Sequence, residues 1–126
     1  MKIWITLAAL LCLTTAASAH DWYIGQRDPV TGGSCCTTAA SAKSGDCNEL
    51  LIEPGVLEPV PEGYRIRLTV EQARKLNPLR TMPVDTIVPE ERIQESGDGN
   101  WHMCIPSYPV GNMKADFFCF FRPGML

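Results

Sequence analysis

The amino-acid sequence predicts a small, mainly β single domain of about five short antiparallel strands with one short helix, stapled by disulfides. Short alternating or apolar runs recur between turns rich in proline and glycine, a pattern typical of strands. Five cysteines follow a secretion signal, and cysteines in a small exported domain usually form disulfides. Neither an internal repeat nor an interdomain linker divides the chain, so one domain is expected.

The clearest pair of strands is a β-hairpin near the middle of the chain. Residues 56–60 and 64–68 are apolar-alternating runs separated by Pro61-Glu62-Gly63, which predicts a three-residue connection. Side chains alternate between the two faces of a strand, so Arg65 and Arg67 are expected together on a solvated face.

One helix is predicted directly after this hairpin. Thr69 and Gln72 have the spacing of a capping box, in which each side chain bonds to the other residue's backbone N–H. The pattern continues to Leu76, and Asn77-Pro78 then ends it. The predicted helix is therefore short.

Three more strands are expected in the C-terminal half, at residues 85–88, 101–105 and 116–122. The five residues from Ser96 to Asn100 form a tight loop before the second of them. Residues 90–94 are compatible with a turn or a short strand. The small-residue segment 35–47 is expected to be a loop with room for one helical turn.

The N-terminus has the three parts of a secretion signal: a positive Lys2, an apolar run at residues 3–13, and the small-residue cleavage site Ala17-Ser18-Ala19. The apolar run is shorter than the roughly 20 residues of a transmembrane helix. We therefore expect residues 1–19 to be a signal peptide and residues 20–126 to be a periplasmic or secreted domain. Cleavage before Ser18 is the alternative, and it would move the amino terminus away from His20.

The charge of the mature chain argues against two classes of partner. Of the 126 residues, 107 remain after cleavage, with 10 of the 11 basic residues and all 14 acidic ones, so the formal charge is −4. These charges form no basic stripe, so neither nucleic acid nor, after signal removal, a membrane is an expected partner. A periplasmic protein is the partner class that remains.

The mature chain has an odd number of cysteines: Cys35, Cys36, Cys47, Cys104 and Cys119. Two bridges with one cysteine outside them is the simplest arrangement. A bridge between the neighbours Cys35 and Cys36 would be strained, so each is expected to pair with a different cysteine. Structural cross-linking is favoured over redox chemistry, because no CxxC pair is present.

A specific bridge is predicted between Cys104 and Cys119. Both lie in apolar strand candidates, and a cross-strand pair brings Cα atoms to about 4.5 Å, within reach of a disulfide. The resulting register places His102 opposite Phe121. One face of the strand pair is then expected to carry His102, Cys104, Phe117, Cys119 and Phe121, and the other face Met103, Phe118 and Phe120.

Short motifs are scattered over most of the mature chain: His20-Asp21-Trp22-Tyr23, Cys35-Cys36, Asp46-Cys47, His102-Met103-Cys104 and Cys119-Phe120-Phe121. This pattern resembles a group of small exported alphaproteobacterial proteins that has no assigned activity. The chain departs from the group by longer spacers, between Cys36 and Cys47 and between Tyr64 and Val88. The resemblance implies a periplasmic location and a single domain family, and it supplies no catalytic residues.

The two histidines, His20 and His102, are candidate copper ligands. An amino-terminal histidine chelates through its amine and one ring nitrogen, and a second imidazole completes a T-shaped set that suits copper. This set is similar to the histidine brace of copper monooxygenases and of some periplasmic copper carriers. The competing interpretation is that His102 is a strand residue satisfied by a backbone partner.

Two function classes follow from these observations. The favoured one is a non-enzymatic interaction or structural domain of the periplasm, which binds a protein or wall component through its loops. The alternative is a copper-binding protein that uses His20 and His102. An enzyme is less favoured, because the sequence contains no carboxylate pair, nucleophile elbow or cofactor motif that would indicate a reaction.

Overall fold

A computed structural model describes residue 23 and residues 25–36, 47–109 and 115–124. These residues form seven strands in two sheets and one α-helix, which confirms the mainly β class. The predicted signal peptide lies outside the described residues. In chain order the elements are β1 (Cys47–Glu49), β2 (Leu57–Val60), β3 (Gly63–Leu68), α1 (Val70–Leu76), β4 (Val84–Pro89), β5 (Ile93–Ser96), β6 (His102–Cys104) and β7 (Cys119–Pro123).

The predicted strands of the C-terminal half are confirmed as β4, β6 and β7, although β6 and β7 are shorter than expected. Residues 90–94 contain both predicted alternatives, since a 3-10 turn at Glu90–Arg92 leads into β5. The helical turn expected within residues 35–47 falls largely on residues 37–46, which lie outside the described part of the chain. No helix among the described residues is long and apolar enough to cross a membrane.

The two sheets differ in topology. The smaller sheet is antiparallel with the order β2-β3-β4, and the larger sheet has the order β1-β6-β7-β5. Pairing in the larger sheet is antiparallel except between β5 and β7, which are parallel. The expectation of antiparallel strands alone is thus wrong at one place. The reason is that β7 lies between β5 and β6, which run in opposite directions, so β7 can be antiparallel to only one of them.

The predicted hairpin is β2 and β3, with a connection of two residues instead of three. Val60 pairs with Gly63, so only Pro61 and Glu62 lie outside the strands. Gly63 is required here by close packing, because a Cβ at this position would lie 2.2 Å from the carbonyl oxygen of Val88 on β4. The close approach of β4 therefore explains why a glycine occupies the first position of β3.

Helix α1 begins with the predicted capping box. Thr69 Oγ1 accepts from the Gln72 backbone N–H at 3.2 Å, and Gln72 Oε1 accepts from the Thr69 N–H at 2.9 Å. The helix ends at Leu76, where Asn77 is the C-cap, as the sequence predicts. Ala73 and Leu76 are the buried positions that attach it to the core.

Strands β6 and β7 separate two clusters of buried residues. Met103 and Phe120 belong to the main apolar core, which also takes residues from β3, β4 and α1. The opposite face carries a second cluster, hereafter the sulfur face, made of Tyr23, Cys35, Cys36, Cys47, Cys104, Cys119 and Phe121, with His102 beside it.

The predicted register of β6 and β7 is confirmed. Cys104 pairs with Cys119, Met103 with Phe120, and His102 with Phe121. The assignment of faces is also correct for these strand residues. It is wrong for Phe117, which packs in the main core, and for Phe118, which packs against the sulfur face. The reason is that β7 begins only at Cys119, so the alternation of strand side chains does not extend back to them.

The predicted Cys104–Cys119 disulfide is wrong, although the two residues are cross-strand neighbours. Cys119 is bridged to Cys35, with Cα atoms 5.3 Å apart, and Cys104 to Cys47, with Cα atoms 4.0 Å apart. Strand β1 pairs with the other edge of β6 and places Cys47 directly opposite Cys104. Cys104 and Cys119 are therefore each bonded to a cysteine from another segment, Cys47 and Cys35 respectively. The sequence pattern had assigned neither segment to this sheet.

Candidate functional site

A hydrogen-bonded chain of three polar side chains lies at the sulfur face, with Tyr23 and His102 buried and Asp98 exposed at its outer end. His102 on β6 is only 1% exposed, and both of its ring nitrogens have partners. Nδ1 is hydrogen-bonded to the hydroxyl of Tyr23, and Nε2 lies 2.8 Å from both carboxylate oxygens of Asp98. Asp98 reaches this position because the tight loop after β5 folds back, with the Asn100 N–H donating to its carboxylate at 3.0 Å.

The protons in this chain can be assigned from the chemistry of its ends. A carboxylate only accepts, so Nε2 carries a proton and donates it to Asp98. Partial burial opposes ionisation of Asp98, but hydrogen bonds from His102 and Asn100 outweigh it and lower the pKa of this carboxyl group. Burial, with the nearby charge of Asp98, raises the pKa of Tyr23, so its phenol stays protonated and donates to Nδ1. The three side chains therefore satisfy one another's hydrogen bonds, with the Asp98 carboxylate at one end.

This geometry bears on the copper hypothesis. His20 lies outside the described residues, so the brace stays a prediction. A metal at His102 would have to replace the hydroxyl of Tyr23 or the carboxylate of Asp98. The brace is tested by titrating Cu(II) into three proteins: the chain that begins at His20, a variant with one residue added before His20, and His102→Ala. Equal weak binding by all three would contradict the brace.

The competing interpretation of His102, a satisfied strand residue, agrees with the structure in outcome but not in partner. The partners are two side chains, Tyr23 and Asp98, and not a backbone carbonyl. Sequence reasoning missed both. A signal for Asp98 did exist, since it precedes His102 by four residues within a tight turn that leads into a strand. Tyr23 is 79 residues away from His102 and had no such signal.

Three sulfur atoms meet next to this chain. Cys36 belongs to neither bridge, and its Sγ lies 2.9 Å from Sγ of Cys47, which is bonded to Cys104. The three Sγ atoms lie within 4.8 Å of one another, and all three residues are buried. The expected arrangement of two bridges with one cysteine outside them is confirmed. All five candidate cysteines are gathered in the sulfur face.

An apolar groove lies beside the loop of residues 25–36. Its volume is about 680 Å³, and one wall is the loop of residues 25–36, through Val30, Thr31, Gly33 and Ser34. The end of β4 contributes Ile87 and Pro89 to the opposite wall. Val30 and Ile87 are 56% and 44% exposed, respectively, so the mouth of the groove presents apolar side chains to solvent. The remaining lining residues are Glu62, Arg92, Ala115, Phe117 and Phe118.

The loop wall of the groove is held by a buried ion pair. Asp28 is 1% exposed and accepts from the N–H groups of Val30 and Thr31 at 2.8 and 2.9 Å. Its other oxygen accepts from Arg92 Nε at 2.7 Å. Burial opposes ionisation of Asp28, but the hydrogen bonds from Thr31 and Arg92 outweigh it and lower the pKa of this carboxyl group.

Arg92 also connects the loop wall of the groove to Phe117, another lining residue. Its guanidinium carbon lies 4.0 Å from the ring centroid of Phe117, a cation–π contact. The Cys35–Cys119 bridge ties the far end of the loop to β7, and Gln94 Nε2 on β5 donates to the Arg27 carbonyl at 2.9 Å. The groove is therefore preformed, and its one arginine is neutralised by Asp28.

The groove lies beside an open sheet edge. Strand β4 is the last strand in the order β2-β3-β4, so within the described residues its outer edge pairs with no other strand. Ile87 and Pro89 belong both to this edge strand and to the groove wall. An extended segment that lies along β4 would pass the mouth of the groove.

The chain was also compared with known proteins. No family model, no curated protein and no solved structure matches it.

Proposed function

We propose that the protein is a non-enzymatic binding domain of the periplasm or the extracellular space. It binds an extended apolar segment of a protein partner, which adds to the edge of β4 and places one apolar side chain in the groove. The observation that carries this proposal is the preformed apolar groove beside an open strand edge. Edge strands offer unpaired backbone groups to a peptide, and adjacent pockets give specificity for alternate side chains.

The dimensions and rigidity of the groove support this choice. Its volume of about 680 Å³ falls within the range of roughly 300–1,000 Å³ that is usual for ligand sites. A site that is already ordered loses little conformational entropy on binding, which favours affinity. The Asp28–Arg92 pair and the Cys35–Cys119 bridge supply that order here.

The compartment proposed agrees with the covalent structure. Disulfides persist mainly in oxidising compartments, and the two bridges join segments 84 and 57 residues apart. The signal-like pattern of residues 1–19 supports export independently.

Peptide selection with a matched pair of variants tests the binding proposal. Peptides would be selected from a random phage-displayed library on the mature, disulfide-bonded protein, and their affinity measured for Ile87→Glu and Ile52→Glu. Ile52 is 42% exposed against 44% for Ile87, but it does not line the groove. Loss of one apolar anchor of about 1.5–3 kcal/mol predicts roughly 10- to 150-fold weaker binding for Ile87→Glu only.

Backbone methylation of the selected peptide separates strand addition from simple apolar binding. Two versions of the peptide would be made, one methylated at its odd-numbered amides and the other at its even-numbered amides. Because only one of these two sets of amides bonds to β4, one version should lose binding and the other should bind as before. Equal weakening by the two glutamate variants, or no effect of methylation in either phase, would contradict the proposal.

A further inference from the structure

We propose that Cys36, Cys47 and Cys104 form an internal thiol–disulfide exchange site, in which Cys47 can pair with either of the other two cysteines. None of the three cysteines lines the groove, and the proposal does not depend on the binding function. Cys47 lies between its two partners: it is bonded to Cys104, and its Sγ is 2.9 Å from Sγ of Cys36.

The exchange is balanced within the protein. The thiolate of Cys36 attacks Sγ of Cys47, a new Cys36–Cys47 bond forms, and the Cys47–Cys104 bond breaks. The electron pair of the broken bond goes to Sγ of Cys104, which takes up the proton that Cys36 released. One thiol and one disulfide are present before and after the step, so no external oxidant or reductant is consumed.

The surroundings restrict the exchange to these three residues. Cys47 and Cys104 are fully buried and Cys36 is 5% exposed, so a protein thiol from solution cannot reach the disulfide. The neighbouring Cys35 is bonded to Cys119, which anchors Cys36 beside Cys47. The hydroxyl of Ser34 donates to the Cys36 carbonyl at 2.5 Å and holds the same backbone.

The two pairings have different structural consequences. In the pairing described above, the disulfide ties β1 to β6. In the exchanged pairing, the bridge closes the segment between Cys36 and Cys47, and β1 remains on β6 through strand pairing alone. The thiol of Cys104 then lies on the same face of β6 as His102, two residues away. The site is therefore a switch between two covalent isomers of one fold.

Non-reducing peptide mapping distinguishes the isomers directly. The mature protein is incubated at pH 8 without denaturant, quenched in acid to protonate thiolates, unfolded and labelled with a maleimide at low pH, and then digested with trypsin. Trypsin places the five cysteines on peptides 28–43, 44–65, 93–114 and 115–126. The first isomer joins 44–65 to 93–114 and carries the label on Cys36. The second joins 28–43, 44–65 and 115–126 in one product and carries the label on Cys104.

We expect both products from the native protein, with Cys35 bonded to Cys119 in each. Cys104→Ser should yield only the three-peptide product, and the matched control Cys36→Ser should yield only the 44–65 to 93–114 product with no label. Label on Cys36 alone in the native protein after incubation at pH 8 would overturn the proposal. So would Cys104→Ser with both Cys36 and Cys47 labelled. The native protein needs no substitution, so the test stands even where a variant does not fold.

Discussion

The two faces of strands β6 and β7 are stabilised by different kinds of interaction. On one face Met103 and Phe120 pack into a core built from apolar side chains of both sheets and α1. On the other face His102, Cys104 and Cys119 depend on particular partners, through hydrogen bonds and disulfides. An apolar core accepts other side chains of similar volume, whereas a bridge or a buried hydrogen bond needs its one partner. The sulfur face is thus the more specific of the two and the one that redox conditions can change.

The largest effect is expected on the apolar face. Phe120→Ala should lower the free energy of unfolding by about 4 kcal/mol, because it removes a fully buried ring and leaves a cavity. Urea denaturation of the oxidised protein measures this loss. Phe118→Ala, at a partly buried position outside the main core, is the control and should cost clearly less. Equal losses for the two variants would mean that the faces do not differ in this way.

Removal of one bridge tests the covalent part of the sulfur face. The double variant Cys35→Ser with Cys119→Ser should lower the free energy of unfolding by about 3 kcal/mol, since this bridge closes a long loop of the unfolded chain. Urea denaturation without reductant gives the value. The β2–β3 hairpin and α1, remote from the bridge, should keep their amide protection. A variant as stable as the native protein would show that the bridge is dispensable.

A smaller effect is expected for the hydrogen-bonded part of the sulfur face. Tyr23→Phe keeps the ring but leaves Nδ1 of the buried His102 without the phenol, so we expect a loss of about 1.5 kcal/mol. Tyr108→Phe is the matched control, because Tyr108 is 65% exposed and should tolerate the change. Thermal unfolding of the two variants side by side checks this. Indistinguishable midpoints would contradict the assigned role of the phenol.

The smallest effect concerns the loop that bounds the groove, and it depends on pH. The folded state lowers the pKa of Asp28, so its contribution is complete above the unfolded value of about 4 and is lost as the pH falls through the lower folded value. Amide hydrogen-exchange protection of Val30 and Thr31 should therefore fall below about pH 4. In Asp28→Asn the protection should already be reduced at neutral pH and change little with acid. Protection that is independent of pH in the native protein would refute this.

A second internal ion pair, Arg80 with Asp116, joins segments that are distant in the chain. Arg80 is fully buried and donates to the carboxylate of Asp116 and to the carbonyls of Met82, Pro83 and Pro106. It fixes the connection after α1 against the segments that flank β7. Nothing in the local sequence predicted that this arginine would be internal, because its farthest acceptor, Asp116, is 36 residues away.

Local patterns predicted the parts of the fold that depend on neighbouring residues. The hairpin, the capping box of Thr69 and Gln72, and the tight loop at Asp98 each involve a few consecutive residues, so their physics is complete within a short window. The register of β6 and β7 was also predictable, because one cross-strand pair determines all the others in a two-strand ladder.

The sequence by itself determined five of the seven strands, the helix, and which side chains of β6 and β7 share a face. Only the tertiary structure decided the partners of Cys104 and Cys119, the parallel pairing of β5 with β7, and the groove beside β4. The physical reason is that a strand has two edges and a sheet has two faces. Which distant segment covers each of them depends on competition among all segments of the chain. Cys119 illustrates this, since its cross-strand neighbour is Cys104 but its bonded partner lies 84 residues away.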